Sequence, residues 1–411
     1  MTYQDKEFLS ILKEEKTRQE NTIELIASEN YVSKAVLDAQ GSIFTNKYAE
    51  GYPNARYYGG CKYIDEIENL AINRARKLFN VEFVNVQLHS GSQANMATYF
   101  ALLNVNDKIL SMNLSSGGHL THGSKVNFSG KLFDFHHYGV NNTGYIDYDN
   151  VLEIAKKIKP KMIVCGASAY SRIIDFKKFR EIANFVGAYL VADISHIAGL
   201  IATNLHPSPV EYADVITSTT HKTLRGPRGA MIFTNNKDVF SKIQKSVFPG
   251  IQGGPMEHTI AAKAVSFGEV LLPSFKKYQE NVLLNARYLS DAFMNRGFDI
   301  LSSGTDNHLF VIDLSNMHIS GVDAQNLLDS VNIAVSKSTI PNDTKSAWVT
   351  SGIRIGTPAM TSRGMNEKCM EKIADLIFES IKNRDNAKIL KNIKETILKF
   401  VKNYPIPDYY E

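Results

Sequence analysis

The sequence predicts an α/β fold in which a mostly parallel sheet flanked by helices is followed by a smaller C-terminal α+β domain. Between residues 84 and 233, short apolar runs alternate with segments of helical periodicity, a pattern typical of parallel sheets covered on both faces. After Pro273 the pattern changes to long helices around one strand. The 411 residues suffice for two or three domains.

The individual elements are predicted from periodicity and length. Strands are expected at residues 84–88, 108–112, 162–164, 188–193, 213–217, 230–233 and 308–314, and helices at 65–79, 93–103, 176–185, 278–296, 323–330, 367–381 and 387–401. A short amphipathic helix that contains Phe8 precedes them and is interpreted as an arm. We expect three units: an arm with a site-lining loop at 1–78, a large domain at 79–275 and a small C-terminal domain at 276–411.

Composition argues against several classes of protein. The chain is 44% hydrophobic and 21% charged with a net charge of +4, and its lysines are scattered among acidic residues, so no nucleic-acid patch is indicated. Three cysteines, Cys61, Cys165 and Cys369, have no paired spacing, which argues against disulfides and zinc. The N-terminus lacks a signal core, and no apolar run reaches membrane-spanning length. We therefore expect a cytoplasmic protein with no membrane or specific nucleic-acid partner.

A segment rich in tyrosine and glycine lies between residues 23 and 61. It includes Ser28, Glu50 and the run 56–60, and it shows little helix or strand periodicity. Long ordered loops of this kind commonly line binding sites. A tyrosine-rich packing loop is the alternative interpretation.

Lys222 stands among small hydroxyl residues between the apolar runs 213–217 and 230–233. An amine held there is partly desolvated, which lowers its pKa and favours the neutral nucleophile that a Schiff base requires. A structural lysine at the end of a hairpin is the alternative. The neighbouring hydroxyls expected to set the position and the pKa of the amine are those of Thr219, Thr220 and Thr223.

Two further features fall at predicted strand ends, where parallel sheets bind ligands. Ser90, Gly91 and Ser92 open a helix, so they either offer hydroxyls and backbone amides to a single phosphate or simply cap the helix. Asp193 ends a buried strand, three residues before His196, and its carboxylate either meets a cation or caps the next turn. A phosphate cup, a buried aspartate and a reactive lysine together are what pyridoxal phosphate requires.

Two more groups complete the predicted site. Arg354, in the strand-like run 351–356, is suited to gripping a substrate carboxylate bidentately or to forming an ion pair between domains. His119 lies in a glycine loop and is suited to stacking on a flat cofactor. His119 and His122 could instead bind a metal, but no third ligand lies nearby in the sequence, so we expect no metal site.

In order along nearly the whole chain, these motifs resemble the serine hydroxymethyltransferase family. The similar segments are 23–30, 45–61, 89–95, 117–123, 219–227, 248–255 and 351–358. The resemblance implies a fold like that of the aspartate aminotransferase-like pyridoxal enzymes and a homodimer whose two sites are shared between subunits. The implied reaction is reversible transfer of the serine hydroxymethyl carbon to tetrahydrofolate, giving glycine and 5,10-methylenetetrahydrofolate, in glycine biosynthesis and one-carbon metabolism.

The resemblance also implies roles for individual residues around pyridoxal 5'-phosphate. Lys222 would form the covalent aldimine, Asp193 would pair with the ring nitrogen, and His119 would stack on the ring. Arg228 would support the lysine loop. The phosphate contacts would be Ser90, Gly91, Ser92 and His221, with Tyr48, Gly253 and Gly254 from the neighbouring subunit, and the phenolic oxygen would meet Ser168 and His196.

The substrate contacts are implied in the same way. Arg354 and Ser28 would bind the amino-acid carboxylate. Glu50, from the partner subunit, would act as a general acid/base near the serine hydroxyl and contact the folate. The remaining substrate contacts would be Tyr58, Leu114, Leu120 and Ser338.

The chain departs from the family pattern at several positions. Ser338 stands where asparagine is usual, at a position that resembles a pterin contact, Ser116 and Leu88 replace His and Pro, and Ile194-Ser195 replaces Met-Ala. Loss of one buried hydrogen bond costs about 1–3 kcal/mol, so we expect weaker folate binding with the cofactor chemistry intact. The competing interpretations are a folate-independent β-hydroxyamino acid aldolase and a non-catalytic binding or regulatory protein, for example of RNA.

Overall fold

The structure is a computed structural model and describes residues 5–407. Its strands are β1 (Ile23–Glu24), β2 (Gly51–Tyr52), β3 (Ala55–Arg56), β4 (Phe83–Asn85), β5 (Lys108–Met112), β6 (Asp134–Tyr138), β7 (Met162–Cys165), β8 (Tyr189–Asp193), β9 (Val215–Thr219), β10 (Ala230–Thr234), β11 (Asp299–Ile300), β12 (Leu309–Asp313), β13 (Ile333–Ala334), β14 (Ser336–Ser338) and β15 (Gly352–Gly356). Its α-helices are α1 (Lys6–Glu20), α2 (Lys34–Gln40), α3 (Lys62–Phe79), α4 (Gly91–Leu102), α5 (Phe128–Leu132), α6 (Tyr148–Ile158), α7 (Phe176–Val186), α8 (Ala198–Ala202), α9 (Lys237–Lys245), α10 (Glu257–Val270), α11 (Pro273–Met294), α12 (Gly321–Ser330), α13 (Pro358–Ser362), α14 (Glu367–Lys382) and α15 (Ala387–Val401).

A seven-stranded sheet organises the large domain, in the order β4-β10-β9-β8-β7-β5-β6. The neighbours from β9 to β6 run parallel, and β10 lies antiparallel to both β9 and β4. Every residue of β7, β9 and β10 is buried, as expected for strands covered on both faces. The predicted mostly parallel sheet flanked by helices is confirmed.

Local sequence explains where the helices of this sheet begin and end. The carboxylate of Asp175 caps α7 by accepting a hydrogen bond from the Lys178 amide, and Gly187 ends the helix with φ of +70°, a left-handed conformation that glycine adopts without a Cβ penalty. The chain then enters β8, whose last residue is Asp193. Regular caps therefore deliver the aspartate to the carboxyl end of a buried strand.

The C-terminal domain is built on a four-stranded antiparallel sheet in the order β11-β12-β15-β14. Helices α11, α12, α14 and α15 contribute to its apolar core, which also includes Ile23, Leu25 and Tyr31 from the N-terminal segment. Strand β1 pairs in parallel with β13. The N-terminal segment is therefore attached to the small domain, which places Ser28 beside the cavity described below.

Helix α1 buries none of its residues. Its apolar side chains are exposed by 57% at Phe8, 46% at Leu9, 65% at Ile11 and 47% at Leu12. An arm of this kind leaves an apolar face uncovered within one chain. No helix within residues 5–407 is both long enough and apolar enough to cross a membrane.

The predicted elements are present with shifted ends, and several others were missed. Strand β4 stops at Asn85, whose side chain accepts a hydrogen bond from the Gln87 amide, so it is shorter than the predicted 84–88. Among the elements that sequence reasoning missed are β6, α6 and α10. The edge strand β6 is largely polar and has only one buried residue, and α10 is buried on nearly all sides, so neither carries the expected periodicity.

Candidate active site

A cavity of about 620 Å³ lies where the large sheet meets the small domain. Its walls come from the carboxyl ends of β8 and β9, the start of α4, the glycine loop after β5, and β14 and β15. The predicted site residues that line it are Ser28, Ser90, Gly91, Ser92, Leu114, His119, Leu120, Ser168, Asp193, His196, His221, Lys222, Arg228, Ser338 and Arg354. The structure thus gathers most of the predicted residues around one space.

Lys222 follows β9 and is only 8% exposed. Burial lowers the pKa of its amine to about 8; the Asp193 carboxylate opposes this shift, and the positive charges of Arg354 and Arg228 add to it. About a tenth of the amine is therefore neutral at pH 7, and this is the nucleophilic form. Arg228 is itself exposed and lines the cavity.

Hydroxyl groups hold the backbone around Lys222. The side chain of Thr220 donates to the Pro227 carbonyl at 2.6 Å, and that of Thr223 donates to the His196 carbonyl at 2.8 Å. Thr219 likewise donates to the Ser195 carbonyl at 3.3 Å. Each of these hydroxyls, which are predicted to set the position and the pKa of the amine, donates to a backbone carbonyl and so shapes the loop that carries Lys222.

Asp193 receives four hydrogen bonds. The amide of Ser195 and its hydroxyl donate to Oδ1 at 3.1 and 2.6 Å, and Asn95 Nδ2 and His122 Nε2 lie 2.9 and 3.2 Å from Oδ2. Burial alone would raise the pKa of Asp193, but His122, its largest favourable partner, and the other donors bring it well below the usual range. The carboxylate is therefore ionised at the edge of the cavity.

Sequence reasoning missed Asn95 and gave His122 no role beside Asp193. Asn95 lies on α4, 98 residues from Asp193 in sequence, and is 1% exposed. No local signal marked Asn95, because Thr98 and Tyr99, three and four residues later on the same helix, also carry polar groups.

The residues predicted to bind a phosphate lie at the start of α4. Ser90 is the N-cap residue and accepts a hydrogen bond from the Gln93 amide at 3.3 Å. A Cβ on Gly91 would lie 2.7 Å from Cγ2 of Thr219, so only glycine allows this approach of helix to strand. Beside it, His221 has a buried Nδ1 without a hydrogen-bond partner, and burial lowers the pKa of His221 to about 3. Helix amides and an unpartnered nitrogen together suit an anion.

Arg354 reaches the cavity from the centre of β15. Its Nη1 donates to the Ser168 carbonyl at 2.7 Å, whereas its Nε is buried without a hydrogen-bond partner. Burial lowers the pKa of Arg354 to about 10, so the guanidinium remains charged near neutral pH. A half-buried cation with an unused donor is suited to a carboxylate ligand.

His196 stacks on a histidine that sequence reasoning did not select. The rings of His196 and His308 are 5.4 Å apart and inclined by 24°, and Nδ1 of His196 lies 3.2 Å from Nε2 of His308. Burial lowers the pKa of both rings. The pair is therefore neutral at pH 7 and joins the large domain to the small domain at the start of β12.

The other predicted residues form an outer cluster that does not line the cavity. The Tyr48 hydroxyl lies 3.3 Å from Oε1 of Glu50, and the rings of Tyr48 and Tyr58 meet edge to face at 5.1 Å. A Cβ on Gly253 would lie 3.1 Å from Oε1 of Glu50, and one on Gly254 would lie 3.2 Å from the Tyr48 ring. Within one chain these five residues contact one another and stand apart from Lys222.

Arg56 anchors the turn that carries Glu50. Its Nη1 donates to the carbonyls of Ala49 and Gly51 at 2.8 and 3.0 Å. Its side chain also pairs with Asp65 at 2.9 Å and with Glu68 at 2.6 Å. Because both carbonyls flanking Glu50 are held, the acid is presented on a fixed backbone.

The cavity fits pyridoxal phosphate. It offers the ionised carboxylate of Asp193, the buried amine of Lys222, and the start of α4 beside an unpartnered nitrogen of His221. These are the partners that a ring nitrogen, an aldehyde and a phosphate require. No group of three or more histidine, cysteine, aspartate or glutamate side chains that could hold a metal ion occurs within the described range.

Comparison with known proteins agrees with this geometry. The family model described as serine hydroxymethyltransferase matches residues 1–377. Proteins named serine hydroxymethyltransferase from a Nitratiruptor species and from Lactobacillus johnsonii are each 57% identical, covering 98% and 96% of this chain and 98% and 97% of their own lengths. A protein of the same name from Mycoplasma mobile is 56% identical over 99% of this chain and 98% of its own length. The chain belongs to the serine hydroxymethyltransferase family.

Proposed function

We propose that the cavity around Lys222 is where this chain carries out the reaction of its family. Members of that family depend on pyridoxal phosphate and interconvert serine and glycine with tetrahydrofolate as co-substrate. The observation that carries the assignment is the convergence of Lys222, Asp193 and Arg354 on one cavity. A nucleophilic amine, an ionised carboxylate and a cation with an unused donor provide for cofactor attachment, ring polarisation and carboxylate binding.

The cofactor-side roles follow from the chemistry of the partners. When bound, pyridoxal phosphate supplies an electron sink conjugated to the amino acid. Asp193 would hold a proton on the ring nitrogen, because its carboxylate is buried and ionised. Ser90, Gly91 and Ser92 would bind the phosphate together with His221, and His119 would cover one face of the ring. Ser168 and His196 would lie at the phenolic oxygen.

The amino-acid substrate would be oriented by Arg354 and Ser28, which both line the cavity. A bidentate contact with the carboxylate fixes the torsion of the substrate, so that the bond to be broken can stand perpendicular to the ring. The folate would lie beyond it, against Leu114 and Leu120, which are 42% and 47% exposed, and against Ser338. Ser338 donates to the Thr339 carbonyl at 3.1 Å, which leaves its oxygen able to accept a hydrogen bond.

We propose that the chain works as a homodimer with shared sites. Two observations support this: the outer cluster of Tyr48, Glu50 and Tyr58 stands apart from the cavity of its own chain, and α1 leaves an apolar face uncovered. A second copy would cover that face and bring Glu50 of the partner subunit to the serine hydroxyl as a general acid/base.

Mixing two inactive variants tests the shared site. In a mixed dimer of Lys222→Ala and Glu50→Ala, one site has both wild-type residues and the other has neither. Random exchange should therefore restore about a quarter of the wild-type folate-dependent activity per dimer. As a control, Lys222→Ala mixed with Lys222→Ala/Glu50→Ala should remain inactive. Failure of the first mixture to recover, with subunit exchange shown by mass spectrometry, would reject the shared site.

Folate dependence separates the transferase from the aldolase. Glycine should change the visible absorption of the cofactor-loaded protein, and addition of tetrahydrofolate should change it strongly again. A glycine spectrum that does not respond to the folate, with cleavage of threonine-like substrates at full rate, would favour the aldolase. A protein that stays colourless with added pyridoxal phosphate would favour a binding protein.

We further propose the division into an arm with a loop at 1–78, a large domain at 79–275 and a small domain at 276–411. Separate apolar cores on the large sheet and in the C-terminal part support it. We propose a cytoplasmic location as well, supported by the three buried, unpaired cysteines. The small net charge of +4 supports the absence of a specific nucleic-acid partner.

A further inference from the structure

A closed hydrogen-bond network beneath the cavity connects Asp193 to His119 through Asn95 and Thr121. Asn95 Nδ2 lies 2.9 Å from Oδ2 of Asp193 and 2.8 Å from Oγ1 of Thr121. The hydroxyl of Thr217 donates to Oδ1 of Asn95 at 2.7 Å. Asn95, Thr121 and Thr217 are at most 1% exposed, so solvent cannot substitute for these partners.

Only one orientation of the Asn95 carboxamide satisfies this geometry. An ionised carboxylate only accepts hydrogen bonds, so the atom of Asn95 that faces Asp193 must be the NH₂ group. The carbonyl oxygen then faces Thr217, whose hydroxyl donates to it. The second amide hydrogen points to Thr121, whose oxygen accepts it.

The two contacts that Nδ1 of His119 makes with Thr121 fix the protonation of the ring. With its oxygen accepting from Asn95, Thr121 has its own hydroxyl hydrogen available for Nδ1 of His119, 2.7 Å away. The Thr121 amide also donates to this Nδ1, at 3.2 Å. A nitrogen that accepts two hydrogen bonds carries no proton, so the proton of the neutral ring lies on Nε2. Burial lowers the pKa of His119 to about 4, which agrees with a neutral ring at pH 7.

His122 is fixed by the same loop. Its Nδ1 accepts a hydrogen bond from the His119 amide at 3.2 Å, so its proton also lies on Nε2. That nitrogen lies 3.2 Å from Oδ2 of Asp193 and donates to it. The network therefore closes on the carboxylate from which it started.

We propose that Asn95 and Thr121 are positioning residues that keep His119 and His122 as neutral imidazoles protonated at Nε2. Asp193 is thereby held as the charge presented to the cofactor ring nitrogen. This rests on the proposed function of the cavity. A cationic His119 against a protonated pyridine ring would oppose that protonation by charge repulsion, whereas a neutral ring can stack on it. Neither residue touches the reacting atoms; both act through Asp193 and His119.

Nitrogen NMR of the full-length protein labelled with ¹⁵N-histidine tests the proposal directly. Protonated and unprotonated ring nitrogens have widely separated shifts, and spectra of His119→Gln and His122→Gln provide the assignments. In the unmodified protein, with and without pyridoxal phosphate, both histidines should show an unprotonated Nδ1 and a protonated Nε2. A protonated Nδ1 on either ring overturns the proposal.

The matched variants Thr121→Val and Thr121→Ser separate positioning from packing. Valine keeps the shape but removes the hydroxyl, so His119 should become a mixture of tautomers and the dissociation constant of pyridoxal phosphate should rise about tenfold, as for the loss of one buried hydrogen bond. Serine should restore both the spectrum and the affinity. A Thr121→Val protein that folds but keeps the wild-type tautomers refutes the role of the Thr121 hydroxyl.

Thr98→Val is the control for the loss of a buried hydroxyl near Asn95. Thr98 is fully buried on α4, and its hydroxyl donates to the Ala94 carbonyl at 2.9 Å, outside the network. This variant should keep the histidine spectrum and the cofactor affinity. The tautomers are measured without any substrate, so lack of folate-dependent activity in the unmodified protein would count against the proposed function and leave this inference standing.

Discussion

The hydroxyl of Ser195 lies 2.6 Å from Oδ1 of Asp193 and donates to it. The same hydroxyl oxygen accepts a hydrogen bond from the Thr219 amide at 3.1 Å, so Ser195 links the ends of β8 and β9. The hydrogen bond from this hydroxyl stabilises the ionised form of the carboxylate. Ser195 therefore ties the aspartate to the strand that leads to Lys222.

Replacing Ser195 with alanine should weaken both folding and cofactor binding. Ser195→Ala removes one donor from Asp193 and leaves the buried Thr219 amide unpaired, so the free energy of unfolding should fall by about 1–3 kcal/mol. Denaturant unfolding of the protein without cofactor measures this loss. Ser218→Ala is the control: Ser218 is fully buried and donates to the Thr219 carbonyl at 2.8 Å, so it should leave cofactor affinity unchanged. Equal effects of the two variants on that affinity would contradict the link to Asp193.

Lys222→Ala should keep the fold and lose covalent attachment of pyridoxal phosphate. Borohydride reduction followed by peptide mass spectrometry should find the pyridoxyl group on Lys222 in the wild type and on no lysine of the variant. Lys263 is the internal comparison, because it is also buried and burial lowers its pKa to about 7. Its amine donates to three carbonyls, those of Val86, Leu88 and Ala230, and cannot attack. Label on Lys263 would show that a low pKa alone selects the lysine.

The rate of cofactor attachment should rise with pH, with a midpoint at about 8. The pKa of Lys222 is lowered to about 8, so the protonated, non-nucleophilic amine dominates below this value and the neutral amine above it. At pH 7 about a tenth of the amine is neutral, and the rate should be about tenfold below its plateau. Stopped-flow absorbance after mixing apo-protein with pyridoxal phosphate measures the profile. A midpoint near the ordinary lysine pKa would contradict the effect of burial.

Glu257 should make stability fall as pH rises from about 4.5 to about 8. Both of its carboxyl oxygens are buried without hydrogen-bond partners, and burial, with Glu68 nearby, raises its pKa to about 8. The folded state therefore binds a proton that the unfolded state has released across this window, and the stability so gained is lost as pH approaches 8.

Glu257→Gln removes this titration. The unfolding free energy of the wild type, relative to that of the variant, should fall by about 2 kcal/mol or more as pH rises from 5 to 8. The pKa of Glu257 is also shifted by the charges of its neighbours Arg56, Asp65, Glu68 and Lys263. These residues are present in both proteins, so their own titration largely cancels in the comparison. A difference that does not depend on pH would show that Glu257 titrates normally.

Residues at strand ends could be predicted from the sequence, whereas their supporting partners could not. Lys222 and Asp193 stand directly after apolar runs, and parallel sheets bring such positions together. The hydrogen bonds made by Asn95, Thr217 and His308 join residues that are 98 to 122 positions apart in the sequence. No local sequence pattern predicts such pairs. The outer cluster around Glu50 was selected through the family resemblance, because a turn in one chain does not reveal which cavity it serves.

The hydrogen bonds that shape the lysine loop have a consequence for motion during turnover. The Lys222 carbonyl accepts from Asn30 at 3.0 Å, and the Thr223 carbonyl accepts from Gln279 at 2.7 Å. With these two consecutive carbonyls clamped, departure and return of the amine require only rotation about the bonds of its methylene chain. The movement of the amine in each catalytic cycle then does not wait for a segment of backbone to open.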